Sequence, residues 1–253
     1  NVHQINYMHK KPGQRIVQAF HGYPYKQMGA EYYKEQEYSP ARIKSFTKRE
    51  ADWDFILSPA PYASPLYQEA FNFKGAFLEV GHPRNDILVN SSLKEEKSSI
   101  REDLRNRLDI KPEQKVVLYA PTYRDYASDT EFKSQRVDFV DYDKLAKVLG
   151  EDYVLLLRGH MMNRRAGNAV SSTNIIDVTT YPEILDLIIA SDMAVMDYSS
   201  LRFDYAQTEK PMIFLVPDLE LYEETRGGLM PYKPTAPGRM VNNIDELVDA
   251  IKR

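Results

Sequence analysis

Between Met193 and Gln207 the chain reads MAVMDYSSLRFDYAQ. An apolar run ends in an acid, Asp197. Two hydroxyls follow, Ser199 and Ser200, and then a helical pattern. A strand that breaks into Ser-Ser at a helix start presents free backbone N–H groups, two side-chain hydroxyls and the positive end of a helix dipole. Together these suit a phosphate. Polar residues follow other apolar runs in the same way: His21, Pro59, His82, Thr122, Arg124, Arg158 and His160. Arg124, Arg158 and Arg226 are candidates to neutralise a diphosphate through forked hydrogen bonds, and Gly227 and Gly228 would let backbone approach it closely. Imidazoles such as those of His21 and His160 exchange protons near neutral pH. One would deprotonate an attacking hydroxyl; another would stabilise a departing phosphate.

Other chemistries are excluded by what the sequence lacks. It has no Gly-x-Gly-x-x-Gly after a strand, no P-loop, no His-Glu-x-x-His and no Gly-x-Ser-x-Gly. With no cysteine there are no disulfides, thiolate metal sites or cysteine nucleophiles. No cofactor is expected. Nor is a tightly held metal, because no carboxylate–histidine cluster has ligand spacing. Asp192 reads as a loop or cap carboxylate. A net charge of −4 argues against a nucleic-acid partner.

The elements that must position these groups form a regular series. Arg15–Phe20, Trp53–Ser58 and Ala76–Val80 read as strands, with helices around Ser39–Glu50 and Pro65–Phe71. Asn90–Gln114 is charged and helix-prone. A second series follows: strands at Lys115–Tyr119, Tyr153–Leu157, Ile175–Val178, Met193–Met196 and Met212–Val216, and helices at Asp143–Leu149, Pro182–Ala190, Leu201–Gln207 and Ile244–Lys252. Phe203 reads as core, and Tyr198 as a packing residue. Apolar strands alternating with helices predict α/β lobes with parallel sheets, and the second series is doubly wound. In such folds functional groups gather at the carboxyl ends of strands. The expected division is a lobe at residues 1–100 and a second at 111–253, with the junction near 95–112. The 253 residues, 43% hydrophobic, suffice for two modest domains. No apolar run approaches the ~18 residues of a membrane span, and no signal peptide is visible. The abrupt start at Asn1 and the few strands of the first series predict an incomplete N-terminal lobe.

Six segments together resemble the CDP-glycerol glycerophosphotransferases, the teichoic acid primases and polymerases. Phe20-His21-Gly22-Tyr23-Pro24-Tyr25-Lys26 looks like the family's W-H-G-T-P-L-K, and Gly81-His82-Pro83-Arg84-Asn85-Asp86 like its G-x-P-R-N-D. Tyr119-Ala120-Pro121-Thr122-Tyr123-Arg124-Asp125 is similar to Y-A-P-T-[WFY]-R-D, and Arg158-Gly159-His160 to R-x-H. Asp197-Tyr198-Ser199-Ser200 with Phe203-Asp204 matches T-D-Y-S-S-x-x-F-D. Asp218-Leu219-Glu220, Tyr222 and Arg226-Gly227 match D-L-x-x-Y…R-G. Tyr23, Tyr25, Met161 and Met196 depart from the family pattern.

The resemblance implies a GT-B-type fold, two Rossmann-like lobes facing across a cleft. It implies transfer of an alditol phosphate, glycerol phosphate first, from a CDP-activated donor to a hydroxyl of a teichoic-acid or capsule-type acceptor, with CMP leaving. His21 would be the base for the acceptor hydroxyl. His160, Arg158 and the Ser199-Ser200 helix start would bind the donor diphosphate. Gly22, Lys26, Arg84, Thr122, Arg124, Asp197, Arg226 and Gly227 would complete the substrate contacts. The acceptor would be lipid-linked, placing the enzyme in the cytoplasm at the inner membrane face, held there by segments outside this chain. Two rivals share parts of this pattern: a GT-B glycosyltransferase using a nucleotide sugar, and a truncated lobe that binds nucleotide without turnover.

Overall fold

The computed structural model describes residues 9–122, 140–159 and 172–253. Arg124, His160 and Met161 lie outside these residues. By packing, the chain falls into two compact units. One is Asn1–Asp86 with Arg226–Tyr232; the other is Ile87–Thr225 with Lys233–Arg253.

In the first unit, β1 (Val17–Gln18), β2 (Phe55–Leu57) and β3 (Ala76–Leu78) form a three-stranded parallel sheet in that order. Helices α1 (Gly29–Glu35) and α2 (Pro40–Glu50) separate β1 from β2, and α3 (Ala63–Phe71) separates β2 from β3. Ser39 caps α2, its hydroxyl accepting from the Arg42 N–H, and Pro40 occupies the first turn, where its missing donor costs nothing. Phe20 anchors the core, stacked on Tyr67 at 4.6 Å and on Phe71 at 5.3 Å, with Trp53 edge-on at 6.0 Å. The strands are shorter than the sequence predicts, because only two or three residues of each find ladder partners. α1 was not expected from the sequence; it is a short helix whose tyrosines, not an aliphatic stripe, supply its packing.

The second unit begins with α4 (Asp86–Val89), whose first residue belongs to the first unit, and α5 (Lys94–Arg107). Then come β4 (Lys115–Ala120), α6 (Tyr142–Leu149), β5 (Tyr153–Leu157), β6 (Ile175–Asp177), α7 (Ile184–Ala190), β7 (Met193–Met196) and α8 (Leu201–Ala206). The series closes with β8 (Met212–Leu215), α9 (Leu219–Arg226), β9 (Arg239–Val241) and α10 (Ile244–Lys252). All six strands are parallel, in the order β6-β5-β4-β7-β8-β9. The central strands are buried on both faces, which explains their unbroken apolar sequences. α6 and α10 complete the core with Leu145, Leu149, Leu247 and Ile251. Asn243 caps α10 by accepting from the Glu246 N–H, while Glu246 accepts from the Asn242 N–H.

Several boundaries differ from expectation for identifiable reasons. α7 starts at Ile184, not Pro182, because the Glu183 carboxylate caps it by accepting from the Leu185 N–H. β9 escaped notice because it is a short edge strand with two exposed residues. α5 is packed onto the second unit by two arginines. Arg101 donates to the carbonyls of Ile189, Ala190 and Ser191 and to Asp192, and Arg105 reaches Asp192 and the carbonyls of Lys111 and Gln114. Packing therefore divides the units at Asp86–Ile87, whereas the expected 95–112 junction follows a change in composition. Asp192 also accepts from the Val116 N–H at 2.7 Å, so its carboxylate joins α5 to the start of the sheet.

Candidate active site

In the second unit the strand order reverses between β4 and β7. Both neighbours of that step lead into motif residues: Thr122 follows β4, and Asp197–Ser200 follow β7. A doubly wound sheet opens its crevice at such a reversal, because the helices after the two strands leave toward opposite faces. The two strand ends are tied by one side chain. Asp197 is 3% exposed, and its carboxylate accepts from the Thr122 N–H at 2.9 and 3.0 Å and from the Tyr198 N–H at 2.6 Å. Asp197, expected among the substrate contacts, sets the shape of the loop through these backbone bonds.

Beyond it, Ser199 and Ser200 are half-buried at the start of α8. The Ser199 hydroxyl accepts from the Leu201 N–H at 3.2 Å, while Ser200 has αR backbone angles and no side-chain cap bond. The phosphate-loop reading rests on two hydroxyls here. In the structure Ser199 caps the helix and Ser200 holds its hydroxyl outside the cap. On α8 the sequence reading of Phe203 as core is corrected. Phe203 is half-buried, and Arg202, 1% exposed, goes inside, its Nη2 donating to Thr235 Oγ1 at 2.8 Å.

Arg158 stands at the end of β5, next to β4 in the sheet. Its Nη1 donates to the carbonyls of Val178 and Thr179, each at 2.8 Å, and of Tyr181. This guanidinium holds the turn after β6, and burial lowers its pKa from the usual arginine value. Gly159 follows because nothing larger fits: a Cβ there would lie 2.9 Å from Thr179 Oγ1, which accepts from the Gly159 N–H at 2.8 Å.

Sequence reasoning did not select Asp218 or Tyr222 as site residues, although both lie in a recognised motif. Tyr222 stacks on Tyr198 with ring centroids 3.7 Å apart, and the Tyr198 hydroxyl donates to Asp218 Oδ1 at 2.7 Å. Tyr198, expected to pack, does so at 0% exposure. This lock holds the Asp197–Ser200 loop against α9. Asp218→Ala would leave a buried hydroxyl without its acceptor. We expect a loss of about 1–3 kcal/mol in unfolding free energy, measured by urea denaturation.

In the first unit, His21 follows β1 and is open to solvent on one side. Partial burial, followed by positive charges including Arg84 and Lys26, lowers its pKa from 6.5. Arg84 Nη1 donates to the His21 carbonyl at 2.8 Å, and the Tyr67 hydroxyl donates to the Gly22 carbonyl at 3.3 Å. The two bonds fix the backbone that follows the imidazole. Lys26 lies half-buried at the end of the same loop.

The departures from the family pattern are packing residues where they are described. Tyr23 is buried edge-on to His82 at 5.1 Å, Tyr25 is buried against Tyr232 at 6.1 Å, and Met196 is fully buried in β7. Residues after α9 return to this loop. The Leu229 N–H donates to the Tyr25 carbonyl at 2.8 Å, and a Cβ on Gly228 would come within 3.2 Å of that oxygen. Gly227, at φ +55°, turns the chain into this approach. The structure therefore brings the segment after Gly227, through Gly228 and Leu229, onto the loop of His21 and Lys26 at Tyr25, and Thr122, Arg158, Ser199 and Ser200 onto three adjacent strand ends.

Comparison with known proteins agrees with these motifs. The sequence matches the family described as CDP-Glycerol:Poly(glycerophosphate) glycerophosphotransferase over residues 1–253. A teichoic acid glycerol-phosphate transferase of Staphylococcus aureus (strain NCTC 8325 / PS 47) is 35% identical over 263 residues, covering 100% of this chain and 65% of that protein. A teichoic acid poly(glycerol phosphate) polymerase of Bacillus subtilis (strain 168) is 33% identical over 247 residues, 94% of this chain and 32% of that protein. The structure of the wall teichoic acid polymerase TagF superposes with a TM-score of 0.84 at 30% identity, over 100% of this chain and 62% of that one. The chain thus spans about one third to two thirds of the length of these relatives. The α/β, GT-B-type class with parallel sheets expected from the sequence is the one observed. The chain belongs to the CDP-glycerol:poly(glycerophosphate) glycerophosphotransferase family.

Proposed function

We propose that this chain carries the catalytic machinery for moving an alditol phosphate, glycerol phosphate first, from a CDP-activated donor to a hydroxyl of a teichoic-acid or capsule-type acceptor. The observation that carries the reading is the strand reversal between β4 and β7, where Asp197 ties the loop of Thr122 to the loop of Ser199 and Ser200. The donor diphosphate would lie against the N–H groups at the start of α8 and the Ser200 hydroxyl. Thr122 and Arg158 stand on the adjoining strand ends, and Arg124, His160, Arg226 and Gly227 are added from the family motifs. On the acceptor side, His21 takes the proton of the attacking hydroxyl as its oxygen bonds the glycerol-side phosphorus. The bond from that phosphorus to the CMP oxygen breaks, and CMP leaves. Gly22, Lys26 and Arg84 shape and charge that loop. The first unit would hold the acceptor and the second the donor.

The acceptor would be a lipid-linked polymer or glycan at the cytoplasmic face of the membrane. Among the described residues no helix is long and apolar enough to cross a bilayer, so attachment would come from segments outside this chain.

Calorimetric titration with CDP-glycerol, CDP-ribitol and UDP-glucose tests the reading. CDP-glycerol should bind, and UDP-glucose should bind far more weakly. Ser199→Ala with Ser200→Ala should weaken CDP-glycerol by about 1–3 kcal/mol, for hydrogen bonds lost to a charged group. Preferential binding of UDP-glucose would assign the site to a sugar transferase. Unchanged CDP-glycerol affinity in the folded double variant would remove the donor from this loop.

A further inference from the structure

Helix α2 carries Arg42, Lys44, Lys48 and Arg49, and its one acid, Glu50, is turned inward. Glu50 is buried, and its Oε1 accepts from the Tyr33 hydroxyl at 2.6 Å. At about 3.6 residues per turn, Ile43, Phe46 and Glu50 share the inner face. Phe46 packs there against Tyr33 at 5.0 Å and Tyr38 at 6.0 Å. The opposite face is Lys44, Ser45 and Lys48, flanked by Arg42 and Arg49. Two of its guanidinium groups lie over rings, Arg42 at 3.9 Å from the Tyr38 centroid and Arg49 at 5.0 Å from that of Phe46. Such contacts order the two guanidinium groups. Among the described residues, no carboxylate is paired with Lys44 or Lys48. The acids of this hairpin sit on α1 and its turn, at Glu31, Glu35 and Glu37, and Glu31 is taken by Lys34 at 2.7 Å. The positive face is therefore one-sided. It belongs to the hairpin that directly continues the His21–Lys26 loop, since α1 begins at Gly29.

We infer that the outer face of α2 docks the phosphodiester chain of the acceptor, holding a polyanion whose end is presented to the His21 loop. This rests on the proposed function, because the acceptor named there is a polymer of phosphates. Charge complementarity selects this occupant: a row of cations suits a flexible chain with regularly spaced negative charges. A bilayer fits less well. A helix that lies in a membrane turns a large apolar face outward, whereas the apolar residues of α2 are turned in.

The test is Lys44→Glu with Lys48→Glu in the full-length protein, with Lys44→Gln and Lys48→Gln as the neutral pair. Both positions are solvent-exposed, and neither contributes to the acid–base or diphosphate groups. The Kd for soluble poly(glycerol phosphate) should rise about tenfold or more at low salt, and its dependence on salt should flatten. The KM for long acceptors should rise with it, while the KM values for CDP-glycerol and for an acceptor with a single phosphate stay unchanged. The neutral pair should fall between. Unchanged polymer affinity in the charge-reversed protein overturns the inference. So does a loss confined to phosphatidylglycerol vesicles with polymer affinity intact, which would assign the face to lipid. Weakened polymer binding in a protein that turns over no CDP donor would uphold the docking face and sink the transferase reading. Normal turnover with unchanged polymer binding would do the reverse.

Discussion

His21→Ala should cut turnover about 100-fold or more while leaving CDP-glycerol affinity nearly unchanged. That is the usual scale for loss of a general base, and the side chain belongs to a different packed unit from the donor loop. The split between turnover and donor binding is the diagnostic, because a merely structural histidine would alter both through the fold. The pH dependence gives an independent readout. Partial burial and the neighbouring positive charges lower the His21 pKa from 6.5, so the imidazole is neutral and able to accept a proton at pH 7. As pH falls, activity should be lost as the imidazole protonates, at a lower pH than for a free histidine. The acid limb of kcat/KM should therefore have a midpoint below that of a free histidine. It should vanish from the residual activity of His21→Ala. Near-wild-type turnover in the variant, or an acid limb that persists in it, would show that another group removes the proton.

Asp197→Ala should be among the most destabilising single changes in the second unit. The carboxylate is buried and satisfies the N–H groups of Thr122 and Tyr198. Truncation leaves two donors without a partner where water is largely excluded. At about 1–3 kcal/mol for each, the expected loss is about 2–6 kcal/mol in unfolding free energy. Asp197→Asn keeps one acceptor oxygen and should lose less. The midpoint of urea denaturation reports the stability change, and titration with CDP-glycerol at a temperature where the variant remains folded reports the loop. If the alanine variant is as stable as the parent, Asp197 does not hold the β4 and β7 ends together. If stability falls but donor affinity does not, the loop shape it imposes is irrelevant to the donor.

Much of this arrangement was legible in the sequence, because its causes are local. β5, β7 and α10 coincide with the expected Tyr153–Leu157, Met193–Met196 and Ile244–Lys252. Buried parallel strands must be continuously apolar, and a closing amphipathic helix must show its period. The polar residues after those strands were visible for the same reason: the change from apolar to polar marks where a strand leaves the core. α9 and β9 were not legible, since a mostly exposed helix and a short edge strand impose little pattern on the residues that form them.

What sequence alone determined is the inventory: parallel α/β lobes, polar groups at strand ends, and His21, Arg158, Ser199 and Ser200 as the chemistry those ends could hold. Residue type and local period carry that information. Tertiary structure decided which of these groups are turned toward their neighbours. The strand order β6-β5-β4-β7-β8-β9 made Thr122 and Asp197 adjacent, although they are far apart in the chain. It made Asp197 the tie between two loops, sent Arg202 inside while leaving Phe203 half-buried, and packed Tyr198 between Asp218 and Tyr222. These outcomes depend on which distant backbone donor or ring lies within hydrogen-bond or packing distance, and no local pattern encodes that.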